Sequence, residues 1–128
     1  MIANRRVLIV NGSKDSREVL KTALERRGLE ILEAAASQEG LLLAQRHRPH
    51  VIVLDAEDDP VGEDAACDRF KATSDRGNAS LVVLGSARLC QTVKRRADEG
   101  ISADSGGSIV AKPYHFGPLI RKIEELAG

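Results

Sequence analysis

The chain has 128 residues, enough for one domain that buries roughly two-thirds of its surface without staples. Hydrophobic residues make up 42% and charged residues 30%, a balance that is ordinary for a soluble globule and argues against disorder. Lys+Arg and Asp+Glu are both 19, so nothing in the charge points to a polyanion partner or a polybasic membrane patch.

Cys67 and Cys90 are far apart and outside any C-x-x-C pair, which fits two reduced thiols and neither a disulfide framework nor a zinc site. No apolar run approaches the roughly 18 residues of a membrane span. Residues 1–6 pass straight into a short apolar run and lack a signal-peptide layout, so a cytoplasmic location is expected.

The first apolar run, Val-Leu-Ile-Val at 7–10, is short, β-branched and apolar on both alternating faces, as in a strand covered on both sides. A helix is predicted over 16–27, with Val19, Leu20, Ala23 and Leu24 on its buried face and Gly28 closing it. A weaker strand at 29–32 precedes a helix from Ser37, read as its N-cap, to Arg48, which must end before Pro49. A third strand at 51–54 leads to a helix over 63–72 with Ala66 and Phe70 inward. The fourth strand, 81–84, is followed by a helix from about Leu89 to Glu99, and a weak fifth strand at 108–111 by a last helix. That helix has Pro118 in its first turn and Leu119, Ile120, Ile123 and Leu126 as its buried stripe.

Five β-α units in a row predict an α/β fold, a doubly wound five-stranded parallel (βα)5 sheet with right-handed crossovers. Ligands and chemistry in such sheets collect at the carboxyl ends of the strands. Those ends carry Asn11, Gly12, Ser13 and Lys14 after the first strand, and Asp55, Glu57, Asp58, Asp59 and Pro60 after the third. Gly85 and Ser86 follow the fourth, and Lys112, Pro113 and Tyr114 the fifth. A carboxylate, a lysine and a hydroxyl converging there can support phosphoryl transfer to the carboxylate. The carboxylate attacks phosphorus, the ammonium neutralises developing charge, and the hydroxyl donates to a phosphoryl oxygen. The alternative is that Asp55 merely ends a strand and Lys112 merely pairs with it.

Residues 48–55 (Arg-Pro-His-Val-Ile-Val-Leu-Asp) and 109–114 (Ile-Val-Ala-Lys-Pro-Tyr) sit at matching places in this five-unit chain. In both, the sequence resembles the response-regulator receiver family of two-component signalling over nearly its whole length, as a single domain spanning 1–128. The resemblance implies the flavodoxin-like strand order 2-1-3-4-5 and a signalling module rather than an enzyme. Asp55 would be the phosphoacceptor and Lys112 the phosphate-sensing lysine. Ser86 would be the hydroxyl after the fourth strand, although counting along the strand can put Gly85 there instead. The implied partner is a sensor histidine kinase or a downstream signalling protein, with no nucleic acid and no membrane. Because the chain ends directly after the last helix, output is expected to pass to another protein.

The family's two acidic residues after the first strand are replaced by Asn11 and Gly12, a degenerate acidic pocket in which Asp55 remains as a doubtful metal ligand. Magnesium prefers oxygen ligands that include carboxylates, so it is expected to bind weakly and phosphorylation to be weak or absent. Two compensations are open: Glu57, with Asp58 and Asp59, could supply carboxylates, or Lys14 could stand in for the cation. Pro60 comes one residue late, Ile109 replaces the family's aromatic switch, and the loop at 100–107 is long. Arg88, Lys94, Arg95 and Arg96 give the fourth helix a basic face, either a docking surface or simply a solvated one. His47, His50 and His115 lack metal-ligand spacing, and a hydrolase elbow of the G-x-S-x-G type is absent. The rival reading is a flavodoxin-type binder of a phosphorylated cofactor or nucleotide. Asn11-Gly12-Ser13 before a helix N-terminus could cradle a phosphate there, though the aromatics are only Phe70, Tyr114 and Phe116.

Overall fold

The computed structural model of the chain describes residues 5–57, 59–98, 108–112 and 114–128. Strands and helices alternate as β1 (Arg6–Val10), α1 (Lys14–Glu25), β2 (Glu30–Ala34), α2 (Ser37–His47) and β3 (Val51–Asp55). They continue as α3 (Glu63–Gly77), β4 (Ser80–Gly85), α4 (Ala87–Asp98), β5 (Ser108–Ala111) and α5 (Phe116–Ala127). The strands form one parallel sheet in the order β2-β1-β3-β4-β5, as expected.

Period-two alternation in the central strands feeds two separate apolar layers. Val7, Ile9, Val51, Val53, Val82 and Leu84 face α1 and α5, where Leu20, Leu24, Leu119, Ile120 and Ile123 cover them. Leu8, Val10, Ile52, Leu54, Leu81 and Val83 face the opposite side, where Phe70, Ala66, Ala44 and Leu89 cover them. On that second side α2 comes very close to β1. A Cβ on Gly40 would lie 2.7 Å from Val10 Cγ2 and 2.9 Å from Phe70 Cζ, so only bare backbone fits.

Several boundaries differ from the sequence reading for local reasons. Helix α1 begins at Lys14 because Ser13 is its N-cap, with Oγ accepting from the Ser16 N–H at 3.3 Å. Val19 is not buried but 50% exposed, and Leu20 and Leu24 alone carry the fully buried stripe of that helix. Ser37 lies inside α2 rather than capping it. Ala36 holds the cap position without a side-chain bond, and Asp59 supplies the missing acceptors from a distant loop. Helix α3 runs five residues past Ala72 to Gly77, and Asn78 ends it in the left-handed conformation (φ 57°). Helix α4 begins at Ala87, two residues earlier than expected. The loop at 100–107, Asp58 and Pro113 lie outside the described residues. No helix among the described residues is long and apolar enough to cross a membrane.

The strand order fixes where a ligand could sit. β1 lies between β2 and β3, so successive crossovers leave it in opposite directions and a crevice opens beyond the carboxyl ends of β1 and β3. Asn11 and Asp55 stand at those two ends.

Candidate functional site

Asp55 is the last residue of β3, its side chain 12% exposed. Lys112 follows β5, and its backbone N–H donates to the Gly85 carbonyl at 3.0 Å, which extends the ladder to the point where the side chain can turn inward. Its Nζ lies 2.8 Å from Asp55 Oδ1 and 3.3 Å from Glu57 Oε1. Partial burial pulls the Lys112 pKa down, but the hydrogen bonds and charges of Asp55 and Glu57 outweigh it and raise the ammonium above its ordinary value. Nearby, the Tyr114 ring meets Phe116 edge-on at 5.6 Å. Its phenol is raised by burial and by the Asp55 charge, against a smaller opposing effect of Lys112.

Asn11 is 4% exposed. Its Oδ1 accepts from the Ser13 N–H at 2.8 Å, its N–H donates to the Ala34 carbonyl, and its own carbonyl accepts from Arg17 Nη1 at 2.6 Å. This local turn carries the chain from β1 into α1, and Arg17 is held in turn by Glu33 at 3.4 Å. Gly12 is exposed, and a Cβ there would meet only the Ala35 carbonyl at 3.7 Å. A cleft of about 460 Å³ opens between these turns, with Asn11, Gly12, Ser13, Asp55, Asp59 and Lys112 in its wall.

No protein-family model matches the chain. The KDP operon transcriptional regulatory protein KdpE of Escherichia coli (strain K12) is 32% identical over 114 residues, covering 88% of this chain and 47% of that protein. The transcriptional regulatory protein PdtaR of Mycobacterium tuberculosis (strain H37Rv) is 32% identical over 121 residues, covering 94% of this chain and 55% of that protein. The solved receiver domain of the Francisella response regulator 1452 superposes with a TM-score of 0.75 at 21% identity, over 97% of each chain. The chain belongs to the response-regulator receiver family.

The chain spans about half the length of the curated relatives it matches. Within the receiver, the structure brings Asp55, Lys112, Asn11 and Gly12 to one cleft but places Ser86 elsewhere. The Ser86 hydroxyl donates to Glu63 Oε1 at 2.7 Å and accepts from the Leu89 N–H at 3.2 Å, so it caps α4. Register favours the other count: Asp55 lies across from Leu84, which puts Gly85 next along the edge. Lys14 is exposed on the first turn of α1 and does not line the cleft. Glu57 is also exposed and is paired with Lys112.

Asp59, Asp55 and Asn11 each turn a side-chain oxygen to a protein donor. Asp59 accepts from Ser37 N–H and Oγ–H, both at 2.8 Å, and from the Val61 N–H at 3.1 Å. Asp55 Oδ1 faces an ammonium, and Asn11 Oδ1 faces an amide. Among the described residues no group of three or more His, Cys, Asp or Glu could hold a metal. His50 likewise has a structural role, its Nδ1 accepting from the Arg6 N–H at 3.0 Å.

Sequence reasoning missed Glu63 and Asp59 as organising residues. Both sit just after the third strand as ordinary loop and first-turn acids, and only the packing of α2 and α4 beside them reveals what they hold.

Proposed function

We propose that this receiver works mainly through protein contacts, with Asp55 as a phosphoacceptor that is modified weakly or not at all. The observation that carries this reading is the 2.8 Å ion pair between Lys112 and Asp55 at an edge where Asn11 and Gly12 stand in place of carboxylates. Any transfer would have an Asp55 oxygen attack the phosphorus of a donor while the bond from phosphorus to the leaving group breaks, its electron pair departing with that group. Lys112 would neutralise the phosphoryl oxygens, but its contact with Asp55 must first loosen. Asn11 adds no charge and Gly12 no side chain, so magnesium binds weakly and leaves the barrier high.

Neither compensation considered from the sequence gains support, since Glu57 is already paired with Lys112 and Lys14 stands away from the cleft wall. The partner is a sensor histidine kinase or a downstream signalling protein, by analogy with the regulators it resembles. That resemblance also favours this reading over the flavodoxin-type binder.

Intact mass after incubation with magnesium and a small phosphodonor tests the proposal, with Asp55→Asn as control. The expected result is no gain, or a small fraction of chains gaining one phosphoryl group. Complete conversion of the parent, with none in the control, would overturn it.

A further inference from the structure

Glu63 opens α3, and its carboxylate reaches across to the start of α4. Gly62 makes the placement possible, since its φ of 98° lies in a region that L side chains rarely adopt. The Glu63 side chain is only 9% exposed, yet it is well supplied with donors. Oε2 accepts from the Ser86 N–H at 2.7 Å, and Oε1 accepts from Ser86 Oγ at 2.7 Å and Arg88 Nη2 at 3.0 Å. Burial pushes its pKa up, but these bonds and the Arg88 charge outweigh burial and hold it below the ordinary glutamate value.

The Ser86 hydroxyl, fixed by Glu63, receives the Leu89 N–H, and the Ser86 carbonyl receives the Cys90 N–H at 3.1 Å. Leu89 is 2% exposed and fills the space beside Gly85, where a Cβ would lie 2.7 Å from Leu89 Cδ2 and 3.4 Å from Glu63 Oε2. No side chain can enter at Gly85 without displacing Leu89. The strand end nearest Asp55 therefore offers no hydroxyl, and the adjacent hydroxyl is turned to α3.

We propose that Glu63 is a positioning residue that latches the β4–α4 junction to α3, so that α4 keeps one position whatever charge the Asp55 cleft carries. The latch does not depend on whether Asp55 is phosphorylated.

Amide-resolved hydrogen exchange on the whole chain tests it, because the amides of Ser86, Leu89 and Cys90 each donate within this network. In Glu63→Ala these three amides should exchange about tenfold faster or more, while amides of β1 and β3 keep the parent rates. Arg88→Ala, which removes only the exposed partner, should change them less than about threefold. Asp55→Asn should leave them within about twofold of the parent, measured relative to the core amides. If Glu63→Ala does not fold, Glu63→Gln carries the test with an expected rise of about threefold or more. The latch is overturned if the folded Glu63 variant leaves the three amides at the parent rate, or speeds them only as much as β1 and β3. A selective response of these amides to Asp55→Asn overturns it as well.

Discussion

Lys112 Nζ serves two carboxylates at once, Asp55 at 2.8 Å and Glu57 at 3.3 Å, so one cation holds both acids at the sheet edge. Removing it leaves two like charges facing each other with Asp55 largely shielded from water. Lys112→Ala should therefore lower stability by about 1–2 kcal/mol, and clearly less in an Asp55→Asn background. Urea unfolding of the two single variants and the double variant measures the coupling. The Lys112 contribution is complete below its ordinary value near 10.5 and fades only as pH rises through its higher folded value.

Glu63 sets an acid limit of the opposite sign. Its folded pKa lies below the ordinary 4.5, so its stabilisation is present above about 4.5 and lost as pH falls through the lower folded value. The gap in melting temperature between the parent and Glu63→Gln should be widest near neutral pH and close as the pH drops below that value. Thermal melts across an acid series check this; a gap that widens toward acid would contradict it.

Gly40 offers a steric test of the α2–β1 contact. Alanine favours a helix over glycine by about 1 kcal/mol, but a Cβ here would press on Val10 and Phe70. Overpacking of this kind costs about 1–3 kcal/mol, so Gly40→Ala should be net destabilising. Chemical denaturation gives the sign directly.

Asp59→Ala removes the acceptors that satisfy the first turn of α2 and leaves the Ser37 N–H and hydroxyl, 1% exposed, without them. A loss of about 1–2 kcal/mol is expected from the missing cap, together with faster exchange of the Ser37 amide.

Restoring acids to the cleft tests the proposed metal weakness from the other direction. A Cβ at position 12 would meet nothing closer than the Ala35 carbonyl at 3.7 Å, and position 12 is exposed, so Gly12→Asp combined with Asn11→Asp should fold. Magnesium should raise the melting temperature of this double variant and leave that of the parent unchanged, as scanning fluorimetry would show.

Much of the fold was legible because β1, β3 and β4 are short, β-branched and apolar on both faces, a pattern few structures other than a covered parallel strand satisfy. Asp55 and Lys112 were legible as a pair because one closes the third strand and the other directly follows the fifth, and the ends of parallel strands share an edge. Ser86 was not legible in the same way. Its place in the chain puts it at the edge, but whether its hydroxyl faces the cleft or α3 depends on a glutamate 23 residues earlier. Val19 shows the complementary difficulty: at the margin of an apolar stripe, exposure is decided by the neighbouring helix rather than by spacing. The end of α3 does have a local sign in Gly77-Asn78, since asparagine tolerates the left-handed conformation that Asn78 adopts.

The two apolar layers have a consequence for how the chain finds its alignment. With apolar side chains on both faces, sliding β3 by one residue against β1 would still bury hydrocarbon on either side, so the oily pattern barely discriminates between neighbouring registers. The polar residues at the strand ends do discriminate. A slip one way would drag the Asp55 carboxylate between Val10 and Val83, and a slip the other way would pull His50 from its bond with Arg6 into the layer. The residues that make this edge chemically interesting are thus also the stops that tell three interchangeable strands where to halt.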